Sequence, residues 1–266
     1  MNKFEITFLG TCACDFSPRL ETDLKDKFDK DARRSSAILL DGKYLIDCGA
    51  HTLNCLEIQG ASKDKITDIF ITHTHDDHYD EKNINSLACG RKELLRVWLR
   101  EGASPSGLEN VEIKYMSLFQ KYELGEISIT GLIANHDKTA SPQHFLIEKS
   151  DASLFYGCDG AWLINDTYYH LKDKHLDVAV FDCTVGDYIG DYRLAEHNSI
   201  PMIRLMLPSL KCIGAIDEGT KIYLSHIAPS LHKSHNETAE IAKELGAYVA
   251  YDGLTIRRDD EGCNCN

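Results

Sequence analysis

Three histidines and two aspartates lie within the six residues from His73 to His78. They follow an apolar run, Ile69–Ile71, that indicates a buried strand. Side chains two residues apart on an extended chain point to one side, so His73 and His75 can reach the same metal ion. Asp77 and His78 follow where the chain turns, and they can serve a second ion nearby. A solvated polar loop is the alternative, but it gives no reason for so dense a cluster.

Three more polar residues stand just after apolar runs: His136, Asp159 and His226. Taken alone, Asp159 could be a turn residue before Gly160, and His136 could be a loop histidine. The segment from His73 to His78, however, resembles the HxHxDH signature of the metallo-β-lactamase superfamily, and the resemblance extends over most of the chain. It implies that one ion is held by His73, His75 and His136, and the other by Asp77, His78 and His226, with Asp159 bridging both.

The same resemblance implies a fold and one supporting residue. The fold is α+β, a four-layer αββα sandwich of two packed mixed sheets with outer helices, formed as a single domain over residues 1–266. Asp47, in the segment Leu45–Gly49, matches the aspartate that opens the family's motif region. That aspartate orients a metal ligand rather than binding the metal itself.

Imidazole and carboxylate ligands suit Zn²⁺, Mn²⁺ or Fe²⁺ better than Ca²⁺ or Mg²⁺. The expected cofactors are therefore two divalent transition-metal ions, with zinc favoured and manganese or iron as alternatives. Two such ions about 3.5–4 Å apart lower the pKa of a water between them, which produces hydroxide at neutral pH. Hydrolysis follows, and Asp77 counts as catalytic because its loss is expected to lower both occupancy and rate.

A second motif favours phosphodiester substrates. The pair Asp182 and Thr184, followed by His197 and Asn198, resembles the phosphodiesterase side of the superfamily, in which a DxT strand end precedes a histidine that opens a helix. Pro201 suits a first helical turn, so His197 and Asn198 are expected beside backbone N–H groups that attract phosphate. We expect His197 to be a general acid or a phosphate contact and Asn198 a substrate contact. A histidine that caps its own helix is the alternative.

Arg33 and Arg34 precede the second strand and resemble the arginine-rich approach to that strand in phosphoribosyl 1,2-cyclic phosphate phosphodiesterases. They are candidate substrate-binding residues, since a guanidinium can hold phosphate in a fork. The equal alternative is two exposed arginines at the end of residues 15–35, an acidic and polar segment that indicates an exposed loop or lid.

Three functions remain open. A small-molecule phosphodiesterase, acting on a cyclic phosphate or nucleotide-like diester, is favoured by His197. A nuclease similar to the tRNA-maturing enzymes of the superfamily is disfavoured by the net charge of −13, because nucleic-acid binding needs a basic face. A thioester or lactone hydrolase is the third function, and a lactonase would place a tyrosine near the metals, which Tyr79 or Tyr188 could supply. A binding module without catalysis is disfavoured by the complete ligand set.

Composition sets the remaining expectations. The start of the chain lacks the apolar core of an export signal, and no long apolar run indicates a membrane span, so a cytoplasmic protein is expected. A small-molecule partner is expected, without nucleic acid or membrane, and a homodimer stays open. The ten cysteines favour reduced thiols. A structural metal held by Cys12, Cys14, Cys263 and Cys265 is a minor alternative.

Hydrophobic periodicity and turn residues predict the elements that must position these side chains. Asp41-Gly42 predicts a hairpin turn, and Ser234 with Glu237 predicts a helix-capping box ahead of a stop at Gly246. Strands are expected at 3–9, 36–47 (two strands), 67–71, 111–116, 126–134, 143–149, 153–157, 176–181, 220–225, 247–251 and 254–258, and helices at 50–60, 81–100, 160–170, 199–210 and 235–245.

Overall fold

The computed structural model describes residues 4–150 and 152–257, whose strands form two seven-stranded sheets. The first sheet, in the spatial order β14-β1-β2-β3-β4-β5-β6, contains β1 (Glu5–Gly10), β2 (Ala37–Leu40), β3 (Tyr44–Ile46), β4 (Asp68–Phe70), β5 (Leu95–Arg100), β6 (Val111–Met116) and β14 (Thr255–Arg257). The second, in the order β13-β12-β11-β10-β9-β8-β7, contains β7 (Lys121–Leu124), β8 (Ile127–Ile133), β9 (Gln143–Lys149), β10 (Ala152–Gly157), β11 (Val178–Asp182), β12 (Lys221–Ser225) and β13 (Ala247–Val249). Both sheets mix parallel and antiparallel pairs.

Helices cover the outer face of each sheet. The first sheet packs on two of them and the second on three, and their bounds are α1 (Thr52–Ile58), α2 (Glu81–Ala88), α3 (Asn165–His170), α4 (Ile200–Cys212) and α5 (His235–Lys243). The layers therefore follow the order αββα, and the predicted fold class is confirmed. None of these helices is long and apolar enough to cross a membrane, within the residues that the structure describes.

Strand alternation separates the inner core from the outer ones. On β2, Ile38 and Leu40 point into the core between the sheets, whereas Ala37 and Leu39 point toward α1 and α2. Because successive side chains of a strand face opposite sides, a strand with helices on one face and a sheet on the other is apolar at every position. This requirement explains the continuous apolar run of β2.

Several local predictions are confirmed. Asp41 and Gly42 both have positive φ, 51° and 64°, which a tight hairpin between β2 and β3 requires. Ser234 and Glu237 form the reciprocal capping box at the start of α5. Gly246, with φ of 70°, follows the end of that helix.

The predicted helical stretch 81–100 is wrong in its second half, because Leu95–Arg100 is the strand β5. Arg96 and Arg100, four residues apart among apolar residues, fit a helix as well as a strand. Contacts with β4 favour the strand over the helix. The Arg96 guanidinium donates two hydrogen bonds to the buried Asp68 carboxylate at 2.6 Å, and Trp98 Nε1 donates a third at 2.8 Å. The short strand β7, with alternately exposed residues, was not predicted.

Residues 15–35 lack strands, as a loop should, but they are anchored rather than free. Leu20, Leu24 and Ala32 are buried in a small cluster of their own, and Asn54 Nδ2 donates to the Lys25 carbonyl at 3.0 Å. The segment is therefore a loop with many exposed residues, and its anchoring argues against a freely moving lid. Its apolar residues are few, yet they are enough to fix the segment against α1.

Candidate metal centre

Two sets of strand ends meet at one edge of the sandwich. In the second sheet β8 and β10 are both antiparallel to β9, while β10, β11 and β12 are mutually parallel. These four strands therefore run in one direction and end at the same edge. His136, Asp159 and His226 follow β8, β10 and β12, and Asp182 is the last residue of β11. From the first sheet, β4 leads into the loop that carries His73 to His78.

The loop after β4 is held in place by the loop after β3. Cys48 N–H donates to the His78 carbonyl at 2.8 Å, and Asp80 N–H donates back to the Cys48 carbonyl at 2.9 Å. A Cβ on Gly49 would lie 1.8 Å from the carbonyl oxygen of Asp77, a distance that no side chain can tolerate. Glycine at this position lets the two loops touch, which places Asp77 and His78 in the site.

Four predicted ligands form the first group. His75 Nδ1 lies 3.0 Å from His73 Nε2 and 3.2 Å from His136 Nε2. Asp159 Oδ2 lies 3.6 Å from His73 Nε2 and 3.5 Å from His136 Nε2. Ligands bound tetrahedrally to zinc at 2.0–2.1 Å are about 3.3 Å apart, so these separations fit one shared ion.

The second group is equally close. His78 Nε2 lies 3.1 Å from His226 Nε2 and 3.4 Å from Asp77 Oδ2, and His226 Nε2 lies 3.6 Å from the same Asp77 oxygen. Asp159 Oδ2 lies 3.3 Å from His226 Nε2 and 3.7 Å from His78 Nε2. Asp159 is thus within reach of both groups, in the bridging position that the sequence resemblance implies.

The outward nitrogens of the five histidines provide an independent test of fit to metal ions. Each faces an oxygen: His78 Nδ1 faces Asp47 Oδ2 at 2.8 Å, and His226 Nδ1 faces Thr184 Oγ1 at 2.8 Å. His73 faces the Thr72 hydroxyl, His136 the Glu196 carbonyl and His75 the Asp137 carboxylate, at 3.1, 3.3 and 3.5 Å. A hydrogen on the outer nitrogen leaves the inner lone pair free for a metal, which is the usual arrangement of metal-binding histidines.

Asp47 lies where the sequence predicts a supporting aspartate. It is fully buried, and besides His78 its Oδ1 accepts from the Thr72 N–H at 2.7 Å. Asp47 and His226 both have left-handed backbone, with φ of 65° and 55°, a strained conformation that clusters at functional sites.

When no ion is bound, burial and the neighbouring carboxylates act in opposite directions on the pKa values of the histidines in the cluster. Burial disfavours the charged form of His226, but Asp159 and Asp182 outweigh it and raise its pKa to about 9. Asp77 and Asp47 likewise overcome burial and raise the pKa of His78. Because a histidine must lose its proton to bind a metal, ion uptake at neutral pH has to release protons.

Comparisons with known proteins agree with this architecture. The chain is similar to the metallo-β-lactamase fold protein YhfI from Bacillus subtilis, with 16% identity over 95% of this chain and 98% of that one and a TM-score of 0.73. It is also similar to human tRNase Z, short form, with 17% identity, coverage of 95% and 98% and a TM-score of 0.67. A diphosphatase of the PhnP family matches with 19% identity, coverage of 96% and 97% and a TM-score of 0.66.

The chain has the metallo-β-lactamase fold. A model of the family described as anti-Pycsar protein Apyc1 matches residues 26–81, the stretch that includes the loop from His73 to His78. No curated protein sequence matches the chain significantly.

In this metallo-β-lactamase fold, His197 lies against the cluster. Its Nδ1 is 2.7 Å from Asp159 Oδ1 and 3.0 Å from Asp182 Oδ2, and about a sixth of its side chain (17%) is exposed. Burial disfavours its charged form, but Asp159 and Asp182 together raise its pKa to about 11. The imidazole is therefore a cation at neutral pH before any ion binds.

The helix start beside His197 is not a ready phosphate cradle. Helix α4 begins at Ile200 after the cap Ser199, close to the predicted boundary. Its Ile200 N–H donates to the Gly186 carbonyl at 2.8 Å, and the Met202 N–H donates to the Ser199 hydroxyl at 3.4 Å. With these donors occupied and none on Pro201, the expected N–H contact with phosphate is corrected, and only the helix dipole remains.

The predicted substrate contact Asn198 is corrected as well. It is buried, its N–H donates to Asp182 Oδ1 at 2.9 Å, and its Nδ2 donates to the Gly160 carbonyl at 2.9 Å. Asn198 thus ties the segment before α4 to the turn after Asp159, and it fixes His197 instead of touching substrate.

The candidate phosphate fork of Arg33 and Arg34 is also corrected, because both side chains are buried. Arg34 donates from Nε to Asn54 Oδ1 at 2.7 Å and from Nη2 to the Leu24 carbonyl at 2.5 Å. Arg33 points to a separate cavity that is described below. Neither guanidinium is free to hold a substrate at the metal cluster.

Asp182 and Thr184 also belong to the site, although the DxT motif in the sequence predicts no role for either. Asp182 is fully buried, and one oxygen lies 3.0 and 3.1 Å from the Nδ1 atoms of His197 and His226. Thr184 Oγ1 also contacts both imidazoles, at 3.1 and 2.8 Å. The DxT spacing was the signal: an aspartate that ends a buried strand needs partners that neutralise it.

The cysteines do not form a site in the described part of the chain. Cys12 is buried, which raises the pKa of its thiol, and Cys14 is exposed. Within the described residues, the clusters able to hold a metal contain only histidine and aspartate. Cys263 and Cys265, the other half of the predicted alternative, lie outside the described residues.

Proposed function

We propose that the protein is a metal-dependent hydrolase of small phosphodiesters, such as a cyclic phosphate or a nucleotide-like diester. The single observation that carries this proposal is the position of His197, which is partly exposed and whose Nδ1 lies 2.7 Å from Oδ1 of Asp159, the carboxylate within reach of both ligand groups. A phosphodiester gains negative charge in its transition state and then needs a proton on its leaving oxygen, and a positioned imidazolium can serve both needs.

The metal ligands supply the first half of this chemistry. The two groups of residues would hold divalent ions, zinc in our proposal, and these would supply Lewis-acid stabilisation of oxygen charge and activation of water. Asp77, Asp159 and the five histidines fix where that charge is neutralised. Asp47, Thr184 and Asp182 hold the imidazoles in the tautomers that such binding requires.

His197 supplies the second half. Its Nδ1–H donates to Asp182 Oδ2 at 3.0 Å, which anchors the ring, and the same nitrogen lies 2.7 Å from Asp159 Oδ1 as an ion pair. Within the described residues its Nε2 has no hydrogen-bond partner, so this atom can face a substrate at the exposed side. We propose that Nε2–H first donates to a phosphoryl oxygen and then gives its proton to the leaving alkoxide.

Two other reactions receive less support. The Tyr79 hydroxyl, one candidate for a lactonase, donates to Glu81 Oε1 at 2.8 Å and is occupied there. A tRNA nuclease is the second candidate, because the fold is similar to that of human tRNase Z. The net charge of −13 opposes it, since a polyanion requires a basic face.

The decisive experiment measures metal content together with substrate class. We expect about two equivalents of transition metal and hydrolysis of bis(p-nitrophenyl) phosphate, with little activity on p-nitrophenyl acetate, a lactone or precursor tRNA. Full metal loading with esterase, lactonase or tRNA-processing activity but no diesterase activity would contradict the proposal.

A pair of histidine variants tests the mechanism. His197→Ala is expected to lower kcat by about 10²–10⁴-fold, the range of general acid catalysis, while metal content is retained. His175→Ala is the matched control, because His175 also pairs with an aspartate, Asp217 at 3.2 Å, but on the surface. Loss of metal from His197→Ala would instead make His197 a ligand.

A further inference from the structure

A cavity of about 220 Å³, separate from the metal cluster, lies between the loop 15–35, the segment after β12 and the start of α5. None of the seven metal ligands lines it, although Ile227, the neighbour of His226, does. The polar side chains that line it are those of Asp31, Arg33, His232, Lys233 and His235, with the Ser234 cap and Thr238. The inference drawn from this cavity is independent of the proposed hydrolase activity.

Arg33 is the unusual member of this lining. It is 2% exposed, and its Nη1 donates to Thr11 Oγ1 at 2.7 Å and to the Ala250 carbonyl at 2.6 Å, while its Nη2 donates to His235 Nδ1 at 3.0 Å. All three acceptors are neutral. Within the described residues, no carboxylate oxygen lies within 4.0 Å of the guanidinium nitrogens. A buried cation without a counter-ion is costly, so an anion beside it would be stabilising.

The nearest buried carboxylate does not fill this role. Asp252 Oδ1 accepts from the Thr11 hydroxyl at 2.8 Å, and its Oδ2 accepts from the Arg34 N–H at 2.7 Å. Burial raises the pKa of Asp252 to about 6, although both arginines oppose the rise. Asp252 therefore reaches Arg33 only through the Thr11 hydroxyl, and its own hydrogen bonds are with Thr11 and Arg34.

The rest of the lining is suited to an anion. His235 accepts from Arg33 through Nδ1, which leaves the hydrogen of a neutral ring on Nε2 as a donor. Lys233 adds a second cation. The one carboxylate of the lining, Asp31, accepts from the His235 N–H at 2.5 Å. Two cations against one carboxylate make this cavity locally positive in a chain with a net charge of −13.

We propose that this cavity binds a small oxyanion of the phosphate type, free or carried by a small molecule, with Arg33, Lys233 and His235 as its donors. The cavity has room for a tetrahedral oxyanion together with several waters. Its back wall is tied to the metal centre, because His232 Nε2 lies 2.7 Å from the Cys183 carbonyl and 2.9 Å from Gly186 N. An occupant would therefore brace the loop that carries Thr184.

Residue-resolved NMR on the metal-loaded full chain tests the proposal, with inorganic phosphate as the probe at fixed ionic strength. We expect saturable shifts of the backbone amide signals from Lys233 to Thr238. Lys233→Ala and His235→Ala should each raise the dissociation constant for phosphate about tenfold. This is the effect expected from the loss of one hydrogen bond to a charged group. Lys243→Ala, in the last turn of the same helix, is the matched control and should leave it unchanged. These variants spare the buried Arg33, whose replacement endangers folding.

Three results would overturn the proposal: shifts confined to amides around the metal ligands, equal affinity in Lys233→Ala and His235→Ala, or equal shifts with sodium chloride. Glycerol phosphate, added as a second probe, separates free phosphate from a phosphate carried by a small molecule. Failure of the diesterase assay would leave all of these results unaffected.

Discussion

Asp182 offers the sharpest test of how the metal centre is held. One of its oxygens lies 3.0 Å from His197 Nδ1 and 3.1 Å from His226 Nδ1, and the carboxylate is fully buried. In Asp182→Asn the side chain keeps its shape, but its amide presents N–H₂ or a neutral oxygen to two N–H donors. The substitution therefore weakens the force that directs the His226 lone pair toward the metal.

The size of the effect follows from this contact. Loss of such a supporting partner costs 10–100-fold in metal affinity, or about 1.4–2.7 kcal/mol. Because His226 belongs to the second group only, we expect the affinity for one of the two ions to fall by this factor. The affinity for the other ion should stay unchanged. Competition with a chromophoric zinc chelator measures the two affinities, and elemental analysis measures the stoichiometry.

Asp137→Asn is the matched control, because Asp137 also faces a ligand histidine, His75. That contact is 3.5 Å long and its two side chains are 39% and 36% exposed, so water can replace it. We expect less than about a threefold change there. If Asp182→Asn binds both ions within threefold of the unaltered chain, or if both carboxylate variants lose affinity equally, the argument from burial is refuted.

Three further predictions concern the loop contact, the protons and a buried histidine. Gly49→Ala should destabilise the fold by about 1–3 kcal/mol and lower metal content, because its Cβ would strike the Asp77 carbonyl; chemical denaturation and elemental analysis show this, and an unchanged variant would contradict it. Zinc binding at pH 7.5 should release protons, and affinity should rise with pH up to about 9, where His226 loses its proton unaided; titration calorimetry in two buffers counts those protons, and a count of zero would contradict the assignment. Burial lowers the pKa of His144 to about 4, so the unfolded chain takes up a proton below pH 6.5 that the folded chain refuses until about pH 4. Stability is lost as pH falls through this window, and His144→Gln should reduce that loss by about 3 kcal/mol. Urea unfolding of the metal-free protein at several pH values measures this, and an equal pH dependence of the unfolding free energy in both proteins would disprove it.

The ligand cluster was predictable because so many histidines and aspartates rarely occur together unless they bind a metal. Histidines such as His73 and His75 at a strand end, and single polar residues after later strands, suffice to nominate seven candidate ligands, and the structure brings these side chains together. The supporting contacts were harder to foresee. Asp182 was visible only as part of a motif, since its partners, His197 and His226, are 15 and 44 residues further along the chain.

The misplaced residues share a physical cause, namely that burial depends on distant partners. Arg33 and Arg34 stand in a polar segment, where arginines are normally exposed. Their acceptors are backbone carbonyls and side chains as far away as Ala250, which no local pattern indicates. Strand β5 was mistaken for helix for the same reason, because its Arg96 is paired with Asp68 of β4, 28 residues earlier.

His78 and His226 are in contact although they are 148 residues apart in sequence, so a metal ion bound to both would cross-link distant parts of the chain. An ion held by both residues closes a loop that includes β7 to β12 of the second sheet and β5 and β6 of the first. A covalent cross-link of that span would remove about 5 kcal/mol of conformational entropy from the unfolded chain. Metal ions at this edge would therefore act as a reversible cross-link between the two sheets. The metal-loaded protein and its chelator-treated form should differ in their rate of unfolding as well as in catalysis.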